Sequence, residues 1–141
     1  MRRDNALWAM LEGRAPLPAA ARTLGWRLDA HNETDRSVSV SFAVGAEPTD
    51  PLGCIPPGTI AAMLDDCMRP AIGAELAPGH ETVRMRSDHA FLLPARPGRL
   101  FGYGRIERWR GPLCVVRARL SDEAGRILAT ATATYRIDGP R

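Results

Sequence analysis

Residues 50–73, DPLGCIPPGTIAAMLDDCMRPAIG, constrain the fold more than any other stretch of the chain. Turn residues (Asp50, Pro51, Gly53) open it, and Pro56, Pro57 and Gly58 lead into an apolar run. Ile60, Met63, Leu64, Cys67 and Ala71 recur at intervals of three and four, which marks one face of a helix from Gly58 to about Ala74. Ala61 and Ala62 leave little polar surface on the first turns, and a helix that is apolar on most sides has to be enclosed by other structure. Two carboxylates, Asp65 and Asp66, sit in its middle. Aspartate is a poor helix former, so its placement there predicts a task for at least one of the pair. Pro70 predicts a kink or a loose last turn.

The flanks supply the enclosure. Leu24–Ala30 alternates in polarity, and so does Ser37–Val44, where Val38, Val40, Phe42 and Val44 share a face; a polar turn at residues 32–35 joins the two runs into a hairpin. After the helix come four extended segments: Glu81–Leu93, Arg99–Arg108, Leu113–Leu120 and Ile127–Ile137, separated by Pro- or Gly-containing turns. In the first, Val83, Met85, Ser87, His89 and Phe91 read as the core face, with Thr82, Arg84, Arg86, Asp88 and Ala90 opposite. In the last, Ala129, Ala131 and Ala133 oppose Thr130, Thr132 and Thr134. Asn5–Leu11 reads as a short first helix, residues 1–22 as a helical or connecting segment, and 138–141 as a tail. The order β-β-α-β-β-β-β predicts an α+β domain over residues 1–141, with an antiparallel sheet of about six strands around one long helix.

Composition narrows the chemistry. The 19 basic residues are all arginine, and a net charge of +3 is too small to argue for nucleic acid. No apolar run has the length of a membrane span and no signal-peptide pattern follows Met1, so a cytoplasmic protein is expected. Cys54, Cys67 and Cys114 have no metal-ligand spacing, so no metal is expected, and Cys67 reads as a core residue. His89 reads as a core histidine, His31 and His80 as solvated turn residues. Arg108-Trp109-Arg110 reads either as a strand end or as a group that stacks on an adenine and pairs with its phosphates.

Taken together, this order resembles the hotdog fold, and three local runs resemble acyl-CoA thioesterases of the phenylacetate-degradation (PaaI-like) type. Asp50-Pro-Leu-Gly-Cys-Ile-Pro-Pro-Gly58 matches that family's N-P-x-G-x-x-[HQ]-G-G, Phe91–Gly98 its F-L-x-P-A-x-x-G, and Asp122–Ala129 its D-x-x-G-x-L-V-A. The resemblance implies hydrolysis of a small acyl- or aryl-CoA thioester, with no cofactor beyond the coenzyme A of the substrate. It implies a site shared between copies in a homodimer or a dimer of dimers (homotetramer). Asp65 would be the nucleophile or general base, with Asp66 the alternative if the motif slips by one, and the Gly58 amide would be an oxyanion donor. Asp50, Pro56, Pro57, Met68 and Arg84 would line the substrate, and Arg86, Arg108 and Arg110 would meet coenzyme A. The chain departs from the family pattern at Pro56 and Pro57, which replace His or Gln and Gly, at Asp50 for Asn, and at Arg84 for Ser or Thr. Proline has no N–H, so a hotdog protein that binds a ligand without catalysis is the alternative. Arg84 would pair with Asp65 or Asp50, or bind an acidic acyl group.

Overall fold

The computed structural model describes residues 6–15, 17, 22–47 and 49–140. A short helix α1 (Ala6–Leu11) precedes strands β1 (Arg27–Asn32) and β2 (Ser37–Val44). The long helix α2 (Pro57–Gly73) follows, then β3 (Glu81–Phe91), β4 (Gly98–Arg110), β5 (Leu113–Ser121) and β6 (Ile127–Asp138). The connector expected within residues 15–22 lies mostly outside the described residues.

One antiparallel sheet contains all six strands in the order β1-β2-β4-β5-β6-β3. β1 and β2 make the expected hairpin. β2 then pairs with β4, while β3 crosses to the far edge and pairs with β6. Helix α2 lies across one face, chiefly over β4 and β5. Its residues Ile60, Met63, Leu64, Cys67, Met68, Ala71 and Ile72 are buried beneath that sheet. Strand alternation supplies the other side of the core: Val38, Val40, Phe42 and Val44 from β2, and Ala129, Ala131 and Ala133 from β6.

Helix and sheet meet most closely at two glycines of β4. A Cβ on Gly104 would stand 2.0 Å from the Cys67 carbonyl oxygen, and one on Gly102 2.3 Å from Cys67 Sγ. Only the missing side chains let the two backbones touch.

The helix passes through Pro70 without ending there, and runs on to Gly73. Proline cannot donate to the carbonyl four residues back, which leaves the Asp66 carbonyl free. The indole Nε1 of Trp26 donates to it at 3.0 Å and restores the missing bond. Trp26 and Leu24 are buried just ahead of β1, which begins at Arg27, three residues later than expected.

Two expectations about faces are corrected. His31 is no solvated turn residue: it ends the hairpin within β1, its Nε2 lies 3.2 Å from Glu75 Oε1, and its side chain is 6% exposed. The division of β3 into two faces also fails, because the strand carries an extra residue. Arg84 pairs with Tyr135 and Arg86 with Thr134, so Met85 is bulged out between them. Up to Arg84 the helix-facing residues are Thr82 and Arg84; after the bulge they are Ser87, His89 and Phe91, opposite Ala133, Ala131 and Ala129. Val83 and Met85 are exposed, not core.

Candidate active site

Asp65 lies at the border of the apolar stripe of α2, where the helix turns its flank to β6 and β3. Both of its carboxylate oxygens are occupied. Tyr135 Oη on β6 donates to Oδ1 at 2.6 Å. Arg69 Nε, one helical turn on, reaches Oδ2 at 2.8 Å, and Arg84 Nη1 on β3 stands 3.3 Å from Oδ1. The Asp65 side chain is 16% exposed, whereas both guanidinium-bearing chains are about half exposed. The phenol of Tyr135 is driven far above its ordinary pKa, first by burial and then by its bond to Asp65, so it remains a donor. With Met85 bulged out, Arg84 faces this group while Arg86, two residues on, faces the other side of the sheet.

Asp66 points elsewhere. It lines a cavity of about 530 Å³ with Leu7, Met10, Trp26, Arg69 and Leu76. Burial pushes its carboxyl up to about 6, the charge of Asp65 adds to the rise, and Arg69 opposes it. No side-chain partner for its carboxylate occurs among the described residues.

The second part of the site is the entry of α2. Pro56 caps the helix with extended backbone and Pro57 occupies its first turn. The Pro56 carbonyl accepts from Thr59 N and Ile60 N at 3.0 and 3.1 Å. The Gly58 amide is passed over by these bonds, and among the described residues it has no acceptor. Gly58 is exposed, and a Cβ there would meet nothing within 4 Å. A free N–H at the positive end of a 17-residue helix is a donor for developing negative charge. Beside it a cavity of about 370 Å³ is lined by Asp50, Cys54, Pro57, Ile60, Phe91 and Leu93.

The remaining predicted residues separate. Asp50 borders that entry cavity, but its Oδ1 accepts from the amides of Leu52 and Cys54, both at 2.9 Å, and so organises the loop. Met68, expected at the substrate, is wholly buried under the sheet and borders none of these cavities. Arg86, expected on the same face as Arg84, stands on the other one, with its Nε 3.2 Å from Asp88. Arg108 shares its cross-strand row, through Val115 and Thr134, and Arg110 lies opposite Leu113 in the next. The three arginines assigned to coenzyme A are thus on the sheet face remote from Asp65. Trp109, between two of them, faces the helix side, opposite buried Cys114. The arginines that do reach Asp65 are Arg84 and the unpredicted Arg69. Tyr135 also went unread, although it breaks the alanine series on the inner face of β6 with a bulky polar-tipped side chain.

A long helix enclosed by a six-stranded antiparallel sheet, with a pinned carboxylate midway along it, defines a hotdog protein of the thioesterase superfamily. The sequence matches no family model, and no curated protein matches it. Among solved structures it is similar to a phenylacetic acid degradation-related protein of Ralstonia eutropha JMP134, described provisionally as a thioesterase. The two share 35% identity with a TM-score of 0.89, over 94% of this chain and 99% of the other. The Escherichia coli PaaI protein from the phenylacetic acid degradation operon superposes with a TM-score of 0.82 at 16% identity, over 95% and 94% of the chains. A hypothetical thioesterase of Streptococcus pneumoniae TIGR4, solved with coenzyme A, gives 0.72 at 19% identity, over 82% and 90%. The last two show the fold alone. The chain belongs to the PaaI-like, phenylacetic acid degradation-related family of hotdog thioesterases.

Proposed function

We propose that the protein hydrolyses a small acyl- or aryl-CoA thioester to the free acid and coenzyme A, acting in the cytoplasm as a homo-oligomer. The observation that carries this reading is the carboxylate of Asp65, held by Tyr135, Arg69 and Arg84 beside the open edge of the sheet. The assignment of the provisional Ralstonia thioesterase and the coenzyme A held by the Streptococcus protein support it.

Asp65 and the Gly58 amide are seven residues apart on one helix, about 10 Å along its axis at ~1.5 Å per residue. One thioester carbonyl cannot touch both. Edge strand β3 offers the solution: it is eleven residues long, no strand among the described residues pairs with its outer edge, and it bears exposed Val83, Met85 and Phe91. Two copies joined antiparallel along β3 bring the Phe91 end of each, next to its own helix entry, towards the Glu81–Arg84 end of the other, next to that copy's Asp65.

In such a site water attacks the carbonyl carbon while Asp65 takes the water proton. The carbonyl electron pair moves to oxygen and is held by the Gly58 N–H of the facing copy. Collapse of the tetrahedral intermediate breaks the C–S bond, and the thiolate recovers the proton from Asp65. Direct attack by Asp65, giving an anhydride that water then opens, uses the same atoms. A non-catalytic binding role was suggested by the proline at position 57, and the unbonded Gly58 amide supplies the donor that this proline lacks.

Thiol release from a panel of acyl-CoAs tests the reading. Asp65→Asn should lower kcat at least about 100-fold with the melting temperature nearly kept, since the guanidiniums it pairs with are half in solvent. Undiminished turnover in Asp65→Asn protein sinks the assignment.

A further inference from the structure

Two guanidiniums serve one carboxylate at Asp65, and they do not serve it equally. Arg69 approaches from the same helix at 2.8 Å and has Oδ2 to itself. Arg84 approaches from β3 at 3.3 Å, on the oxygen that Tyr135 already holds at 2.6 Å. Removing Arg84 would leave both Asp65 oxygens with a donor. Its side chain is 43% exposed, and among the described residues its remaining N–H groups have no partner. A guanidinium has five donors arranged in a fork that fits a carboxylate, so Arg84 has capacity that Asp65 does not use. The bulge that lets Arg84 and Arg86 face opposite sides costs a regular ladder, and bulges beside active sites characteristically re-aim a side chain.

We propose that Arg84 binds a second carboxylate carried by the acyl group, so that the substrates are CoA thioesters of short dicarboxylic acids. The inference rests on the thioesterase reading and names its substrate class. A reacting thioester carbon would stand about 3–3.5 Å from an Asp65 oxygen. Arg84 Nη1 is 3.3 Å from that same carboxylate, so its fork lies within about 3–7 Å of the carbon. That is the span of a malonyl to glutaryl chain. The charges that face the group are Asp65, Arg69, Asp66 and Glu81; the last two border the neighbouring cavity with Arg69, and neither forms an ion pair with Arg84. When the substrate carboxylate takes up the fork of Arg84, Asp65 keeps Arg69 and Tyr135 for orientation and turns one oxygen lone pair to the thioester.

The experiment compares matched pairs on the full-length protein: malonyl- with propionyl-CoA, succinyl- with butyryl-CoA, and glutaryl- with valeryl-CoA. The wild type should favour the carboxylated member in kcat/KM by about 10–100-fold, the range expected for a hydrogen bond to a charged group. Arg84→Ser should abolish the preference, lowering kcat/KM on the carboxylated member of each pair by that factor more than on its uncharged partner. Arg84→Lys, which keeps the charge without the fork, should retain part of it. Both variants are checked for an unchanged melting temperature, and the lysine variant decides the matter if the serine variant does not fold. Turnover without carboxylate preference, or an equal loss on both members in Arg84→Ser, overturns this proposal alone and assigns Arg84 to coenzyme A or to Asp65. Absence of turnover on every thioester overturns the thioesterase reading and this one with it.

Discussion

Asp65 and Asp66 are neighbours in sequence and opposites in environment. Asp65 has three donors and a fixed orientation. Asp66 borders a cavity that is apolar on one side, has no side-chain donor among the described residues, and has a carboxyl pushed up to about 6 by burial. A raised carboxyl binds its proton more tightly in the folded chain than in the unfolded one. Between the ordinary carboxylate range and about 6 the native state therefore holds more protons, and this group's contribution to stability falls as pH rises. The full penalty is present above about 6 and vanishes below about 4. Asp66→Asn should accordingly stabilise the protein at pH 7.5 by about 1 kcal/mol, allowing for its partial exposure, and hardly at all at pH 4. Urea titrations at the two pH values check this, and an equal effect at both would place the cause outside the charge. The thiols make a parallel case: burial raises Cys114 to about 11 and Cys67 further still, so neither is a thiolate near neutral pH.

At the scale of elements, α2 is a helix repaired from outside. Its proline removes one bond, and a tryptophan ahead of β1 supplies another donor to the same carbonyl. Trp26→Phe should cost about 1–2 kcal/mol, because it strands a part-buried acceptor. Pro70→Ala gives the helix its own N–H and should shrink that cost, which a double-mutant cycle reads directly. Independent effects would show that the indole matters for packing alone. The helix itself was legible in its apolar spacing, and β2 and β6 in their alternation, because burial on one face imposes those periods. Trp26 as donor was not, since the bond joins residues 40 apart in sequence. Nor was the strand order, in which β3 leaves its sequence neighbour β4 for β6. Within the site, Asp65 and Gly58 could be read from local motifs. The pairing of Arg84 with Asp65 was among the expectations, whereas Tyr135 could be placed on the site only once the register of β6 was known, for a one-residue slip reverses every face beyond it.

For the whole molecule, the proposed reaction needs Gly58 and Asp65 from different copies, because the two stand about 10 Å apart along one helix. If catalysis is shared across β3, two defects in different copies should complement. Gly58→Pro removes the amide at a position in the first turn where proline is tolerated, and Asp65→Asn removes the carboxylate. Each variant alone should be inactive, whereas a refolded mixture should recover up to about a quarter of wild-type turnover, from the one intact site in each mixed dimer. A mixture as inactive as its components would confine both groups to one chain. The same edge strand also determines which residue the site presents. Deleting Met85 would place Arg84 next to Arg86 in ordinary alternation, and each would keep its present face. Had the extra residue been inserted two positions earlier, at Val83, a methionine would face Asp65 and the guanidinium would point away from it. What this edge offers a substrate therefore depends on where along it the strand bulges: the same residues with the bulge two positions earlier would present an apolar site in place of a charged one.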